Sequence, residues 1–194
     1  MDMNKLPPIV VDSREQTPFQ FPADVVTEPG TLASGDYSLE GLTDLVAIER
    51  KSLPDLCACI GRERARFKRS LHRLQAYRCR AVIIEAELSA VMAGNYRSKI
   101  APAAIIGSIS KWLVRYQTPF LFAGDHGAAI CYSILKNFHT HLSETVRAVF
   151  RDKHPPGPGR GYGAKNRHPG SEKKDENHGR QSVMEQSAGA SSAG

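Results

Sequence analysis

The stretch Leu45-Val46-Ala47-Ile48-Glu49-Arg50-Lys51 constrains the fold more than any other. Its apolar half reads as a strand inside a sheet. It then closes on three consecutive charges, which packing alone does not ask of a strand end. Just upstream, Asp36-Tyr37-Ser38-Leu39 begins another strand, and Glu40-Gly41-Leu42-Thr43-Asp44 reads as a turn. Residues 36–51 are therefore expected to form a β-hairpin. On a strand, residues i and i+2 share a face. Glu49 and Lys51 then project together, Arg50 points the other way, and the partner strand can bring Asp36 beside the first two.

The surrounding pattern alternates strands with helices. Pro8-Ile9-Val10-Val11-Asp12 reads as a central strand and Asp24–Thr27 as a second one. Ser52-Leu53-Pro54-Asp55 starts a helix, with Ser52 at the N-cap, Pro54 in the first turn and Asp55 placed as in a capping box. A second helix is expected over 62–78, with Phe67, Leu71 and Leu74 on its apolar face and Arg62, Arg66, Arg69 and Arg73 opposite. Ala81-Val82-Ile83-Ile84-Glu85 is a buried strand, 88–93 a short helix and 101–116 a longer one. In the longer helix Ile105, Ile109, Trp112 and Tyr116 share a face, a stripe that suits a core or a dimer interface better than a base-stacking platform. Residues 119–122 read as another buried strand, and a last helix, with Ile130, Ile134 and Phe138 inward, reaches about Val149. This alternation predicts a three-layer α/β fold over 1–150, a central mixed sheet with helices on its faces. After Phe150 the chain is rich in Gly, Pro, Ser and charge with almost no large apolar residue, so 151–194 is expected to be a disordered, basic tail.

Within the 194 residues no apolar run approaches the ~20 that span a bilayer. Cys57, Cys59, Cys79 and Cys131 form no CxxC pair and are expected to be reduced thiols in the cytosol, beside the nucleoid in a bacterial cell. The formal charge is +6, and its distribution points to a polyanion partner. Between Gly61 and Arg80 there are eight Arg and Lys against one acid, Glu63.

Two carboxylates and a lysine on one sheet edge suit metal-assisted hydrolysis of a phosphodiester. Mg²⁺ keeps several of its waters and takes one or two protein carboxylates together with substrate phosphate. It lowers the pKa of a bound water and stabilises charge on the phosphate. Lys51 is placed to position that water or to offset charge in the transition state.

An acid followed by Glu-x-Lys is a weak signal alone. The fuller set is Asp12-Ser13-Arg14-Glu15, Gly35-Asp36-Tyr37, Glu49-Arg50-Lys51-Ser52-Leu53-Pro54-Asp55-Leu56 and Arg66-Phe67. It resembles the XPF family of structure-selective endonucleases, including the archaeal Hef nucleases, whose signature is Gly-Asp followed by Glu-Arg-Lys-x-x-x-Asp. The resemblance covers about residues 8–142. It implies a restriction-endonuclease-like fold and a Mg²⁺-dependent DNA endonuclease, with Mn²⁺ as a substitute. The implied substrate is branched, flap or fork DNA in repair or recombination. Asp36 and Glu49 match the metal-binding acids and Lys51 the catalytic lysine. Asp12 matches an active-site acid near the metal and Arg50 an arginine needed for activity. Asp55 matches the last acid of the signature and, like Asp12, is a candidate metal contact, and Arg14 and Glu15 match a pair lining the site. The family commonly dimerises through this domain, which the helices at 101–116 and 126–149 suit, as a homodimer or a heterodimer. Members usually carry helix-hairpin-helix modules after the nuclease, and no such pair follows Phe150.

Several of these residues have a structural reading as well. Asp12 ends a strand, Asp55 sits where a helix N-terminus favours an acid, and Arg50 suits an ion pair that buttresses the fold. The arginine face is placed for DNA phosphates, with Arg66 the foremost candidate. The alternative function is a catalytically silent, DNA-binding scaffold subunit of the same fold. Silent members lose acids from the Gly-Asp or Glu-Arg-Lys sets, and this chain keeps them all.

Overall fold

The hairpin at 36–51 organises the sheet. In the computed structural model, which describes residues 5–153, strand β3 (Tyr37–Leu39) turns at 40–45 into β4 (Val46–Ser52), antiparallel and in register at Tyr37 and Ile48. Gly35, with φ +79°, leads into this pair, and a Cβ there would stand 3.0 Å from the Ile48 carbonyl oxygen. Only glycine takes that backbone in that space without strain.

β1 (Ile9–Asp12) pairs antiparallel with β3 and parallel with the edge strand β2 (Thr27–Gly30). On the other side β4 pairs parallel with β5 (Cys79–Glu85), and β5 with β6 (Phe120–Phe122). The six strands run in the order β2-β1-β3-β4-β5-β6. The second strand thus lies at Thr27–Gly30, beyond the 24–27 expected, and β6 is a half-buried edge rather than a buried strand. Thr27-Glu28-Pro29-Gly30 has no apolar alternation of its own. It becomes a strand because β1 offers it a backbone ladder, and an edge tolerates the missing N–H of Pro29.

Period-two alternation sorts the two faces. Ala47, Val82 and Ile84 point to one face, covered by α1 (Leu53–Ile60), α2 (Arg64–Leu74) and α4 (Pro102–Tyr116). Val46, Ile48, Ala81 and Ile83 point to the other, covered by α5 (Gly127–Lys153). The result is the three-layer architecture, with the short α3 (Leu88–Met92) preceding α4. Ile105, Ile109, Trp112 and Tyr116 are all buried, so the Trp112 stripe is core. On α5 the seam is rotated by one residue from the expected stripe. Cys131, Leu135 and Phe138 are buried, while Ile130 and Ile134 flank them half-buried. The 151–194 segment read as a tail lies outside the described residues except for 151–153, which continue α5.

Two local features aim the elements around the sheet edge. β4 passes into α1 without a loop. Ser52 caps α1, its Oγ accepting from the Asp55 N–H at 3.2 Å and donating to Asp55 Oδ2 at 2.6 Å. On α2, Phe67 meets Trp112 edge-on with ring centroids 5.1 Å apart, and Leu71 and Leu74 are fully buried. Burial of side chains this size is worth about 1.5–3 kcal/mol each. That fixes the rotation of α2 and turns Arg66 and Arg73 away from the core.

Candidate active site

The charged end of β4 lies at the foot of a cleft of about 330 Å³ between the sheet edge and α2. Glu49 and Lys51 enter it from one face of the strand, below Arg66, Ser70 and Arg73 of α2. Asp36 closes the third side. Its N–H donates to the Ile48 carbonyl at 2.8 Å, and its Oδ2 accepts the Arg50 N–H at 2.6 Å. Main-chain bonds in both directions therefore fix the carboxylate beside β4. Lys51 Nζ donates to Glu49 Oε1 at 2.5 Å and to the Arg50 carbonyl at 3.1 Å, and it stands 5.7 Å from the centroid of the Phe67 ring.

The electrostatics separate the groups. Burial, followed by the nearby Glu49 carboxylate, pushes the Asp36 pKa up to about 7. Burial works against the charge on Lys51, but the attraction and hydrogen bond of Glu49, with Asp36 adding, outweigh it, so its pKa is raised. The cleft thus holds an ammonium that stays charged and an acid poised to lose a proton near neutrality. A strongly perturbed acid in a cleft is a functional-site signature.

The donor set suits a hard, hydrated cation. Asp36 Oδ1 and Glu49 Oε2 accept no hydrogen bond among the described residues, and both side chains line the cleft. Among the described residues no group of three or more His, Cys, Asp or Glu side chains is arranged to enclose an ion. Two carboxylates with room for water and phosphate match Mg²⁺ or Mn²⁺ better than a closed, all-protein site.

Asp12 also lines the cleft, but as a latch. Its Oδ1 accepts from Arg14 N (2.9 Å) and Nε (2.7 Å), and its Oδ2 from Arg14 Nη2 and Leu32 N (2.8 Å each). Its pKa falls to about 2, chiefly through the Arg14 side chain, with the Leu32 and Arg14 peptides assisting against burial. With four donors engaged, Asp12 is not presented as a metal ligand. It ties down the segment that leads into Asp36. Arg14 is 70% exposed at the rim, its Nη2 also donating to the Leu32 carbonyl at 2.7 Å.

Arg50 and Glu15 stand on the opposite face of β4. Arg50 pairs with Glu85 at 2.5 Å and Glu15 at 3.3 Å, donates to Thr17 Oγ1 at 2.9 Å, and stacks 5.6 Å over Phe19. This is the buttress reading; the side chain is not in the cleft, and only its peptide N–H touches Asp36. Glu85, at the end of β5, completes the buttress.

Asp55 is exposed and bound to Ser52, away from the cleft, as a helix N-terminal acid. The four arginines expected on one helix face divide among three surfaces. Arg62 precedes α2 and lines a different cavity with Tyr96 and Arg97. Arg69 faces a groove beside α4. Arg66, bonded to Glu63, and Arg73, whose Nε donates to the buried Ser34 Oγ at 3.2 Å, remain in the cleft. Ser34, Cys59 and Ser70 complete its wall. Ser70 was legible as the residue four after Arg66.

A family model for the ERCC4 domain matches residues 11–132, well over half of the chain. The chain belongs to the ERCC4-domain family, the XPF nuclease family. The matched segment holds every cleft residue from Asp12 to Arg73. No curated protein sequence matches this chain. Among solved structures, XPF from Aeropyrum pernix is similar at 20% identity with a TM-score of 0.54, over 78% of this chain and 76% of that one. XPF from Aeropyrum pernix in complex with DNA is similar at 22% identity with a TM-score of 0.52, over 67% of this chain and 64% of that one. These likenesses show the fold. The ERCC4 domain here is α/β and restriction-endonuclease-like, with a mixed six-stranded sheet.

Proposed function

We propose that this ERCC4 domain is a Mg²⁺-dependent DNA endonuclease, with Mn²⁺ able to substitute. The observation that carries the reading is the convergence of Asp36, Glu49 and Lys51 at the foot of one cleft walled by Arg66 and Arg73. The relative seen in complex with DNA supports the choice of nucleic acid. The preference for branched, flap or fork DNA, and a place in repair or recombination, rest on the family resemblance. The silent-scaffold alternative has no observation in its favour, since both acids and the lysine are present and face one space.

Asp36 and Glu49 would hold the cation through the oxygens that Arg50 and Lys51 leave open. Such an ion supplies a bound water of lowered pKa and offsets charge on the phosphate. Asp36 must shed its proton to take part, which its pKa near 7 allows at neutral pH. Lys51, kept charged by Glu49, would orient the attacking water or balance negative charge on the phosphate. Arg66 and Arg73 hold the backbone in register and read no sequence. Asp12, through Leu32, keeps the approach to Asp36 fixed.

The test is cleavage of labelled duplex, flap, fork and four-way-junction DNA with Mg²⁺, Mn²⁺ or EDTA. Metal-dependent internal cuts, strongest on the branched substrates, are the expected result. Cuts that persist in EDTA, or none with either metal, would overturn the proposal.

A further inference from the structure

Helix α2 is basic over more of its surface than the cleft uses. Phe67, Leu71 and Leu74 face the core, while Arg66, Ser70 and Arg73 face the cleft. On the remaining arc Lys68, Arg69 and His72 join Arg115 and Tyr116, from the C-terminal end of α4, around a second groove of about 750 Å³. Arg73 lines both spaces.

The charge in this groove is concentrated and unbalanced. Around the strand ends the cations have carboxylate partners: Arg14 with Asp12, Arg50 with Glu15 and Glu85, Lys51 with Glu49. The single acid of the region, Glu63, is engaged by Arg62 and Arg66 at the far end of α2. Among the described residues Lys68, Arg69, Arg73 and Arg115 form no ion pair with a carboxylate, and no acid lines the groove. Arg115 is exposed, with its guanidinium carbon 5.7 Å from the centroid of the Tyr116 ring. Four like charges around a concave surface repel one another, and a polyanion relieves that repulsion. Arg66 and Arg73, seven residues apart, span about 10 Å of the helix axis. The groove carries the positive track on from Arg73, across α2 to the end of α4.

We propose that this groove is a second binding surface for the sugar-phosphate backbone of DNA, continuous with the cleft through Arg73. It rests on the reading of the chain as a DNA nuclease, and it sets the path: DNA held at Asp36 and Glu49 leaves over α2 toward Arg115. The alternative exit past Arg62 and Arg97 is then not used. Contacts here add affinity for long DNA without sequence preference.

The test uses the full chain in EDTA, so that binding is read without cleavage. Affinity for a fluorescent duplex of about 30 base pairs is followed against salt, since each lost phosphate contact lowers the slope by about 0.9 on duplex DNA. The triple variant Lys68→Ala, Arg69→Ala, Arg115→Ala should bind the duplex more weakly, with the slope lowered by about 2 to 3. The three side chains are exposed, so the melting temperature reports whether the fold is kept. A charge-matched control, Lys5→Ala, Lys99→Ala, Lys136→Ala, should leave the slope near the parent value. An unchanged slope in the groove variant, or an equal fall in the control, would overturn the proposal. Mg²⁺-dependent cleavage by the same parent preparation keeps the two readings apart. A parent that cuts while the groove variant keeps the parental slope sinks the groove alone. A parent that does not cut, with a slope that falls in the groove variant, sinks the nuclease reading alone.

Discussion

Replacing Asp36 by asparagine should stabilise the metal-free protein above neutral pH. Burial and the Glu49 carboxylate raise the Asp36 pKa from 3.8 to about 7. The folded state therefore binds a proton more tightly than the unfolded chain does. The associated stability is fully present below about pH 4 and is lost as the pH rises through about 7. Each pH unit of that gap corresponds to about 1.4 kcal/mol, and Glu49 and Lys51 share the adjustment, so the native state gives up on the order of 2–4 kcal/mol. The substituted asparagine would carry no charge at any pH, and its amide oxygen can still accept the Arg50 N–H. For a domain of this size 1 kcal/mol moves the melting temperature by about 2–4 °C. At pH 8 in EDTA the Asp36→Asn variant should then melt roughly 5–10 °C above the parent, and at pH 4.5 the two should nearly coincide. Thermal melts by circular dichroism across pH 4.5–8.5 read both limbs. A variant that melts below the parent at pH 8, or a difference that does not change with pH, would refute the argument.

Two further outcomes follow from the bonding around the cleft. Asp12→Ala leaves the buried Leu32 N–H without its acceptor and frees Arg14, so urea melts at pH 7 should show a loss of roughly 2–4 kcal/mol. Because the Asp12 pKa lies near 2, the same contribution in the parent is present above about pH 4 and disappears as the pH falls through 2. Arg50→Met removes the partner of Glu15 and Glu85 and should cost about 3 kcal/mol, with Glu85→Gln in the same chain recovering part of it. DNA affinity in EDTA should be unchanged by Arg50→Met, since the guanidinium lies on the far side of β4; a fluorescence titration checks this.

What could be read from the sequence was what is local. The hairpin at 36–51, the Ser52 cap and the shared face of Glu49 and Lys51 follow from periods of two and from neighbours a few residues apart, and all three appear in the structure. The edge strand Thr27–Gly30 was misplaced because its signal lies in β1 and not in its own residues. The engagement of Asp12 was invisible for the same reason, since the Leu32 N–H that completes it is twenty residues away. Arg50 had two readings. Alternation along β4 already placed it opposite Glu49, the family pattern marked it for activity, and its half-buried side chain pairs with Glu15 and Glu85 beside Phe19. The four arginines looked like one face only while the helix was taken to start at residue 62. It starts at Arg64, and the packing of Phe67 against Trp112 decides which of them turn to the cleft.

On the proposed reading Asp36, Glu49 and Lys51 form one metal-dependent hydrolytic centre. Single-turnover cleavage of a fork substrate at saturating enzyme, parent against Glu49→Gln in Mg²⁺, tests it most directly. The variant should lose at least a hundredfold in rate, about 3 kcal/mol of transition-state stabilisation, with DNA affinity in EDTA equal to or tighter than the parent's. A Glu49→Gln variant that cuts at the parental rate would contradict it.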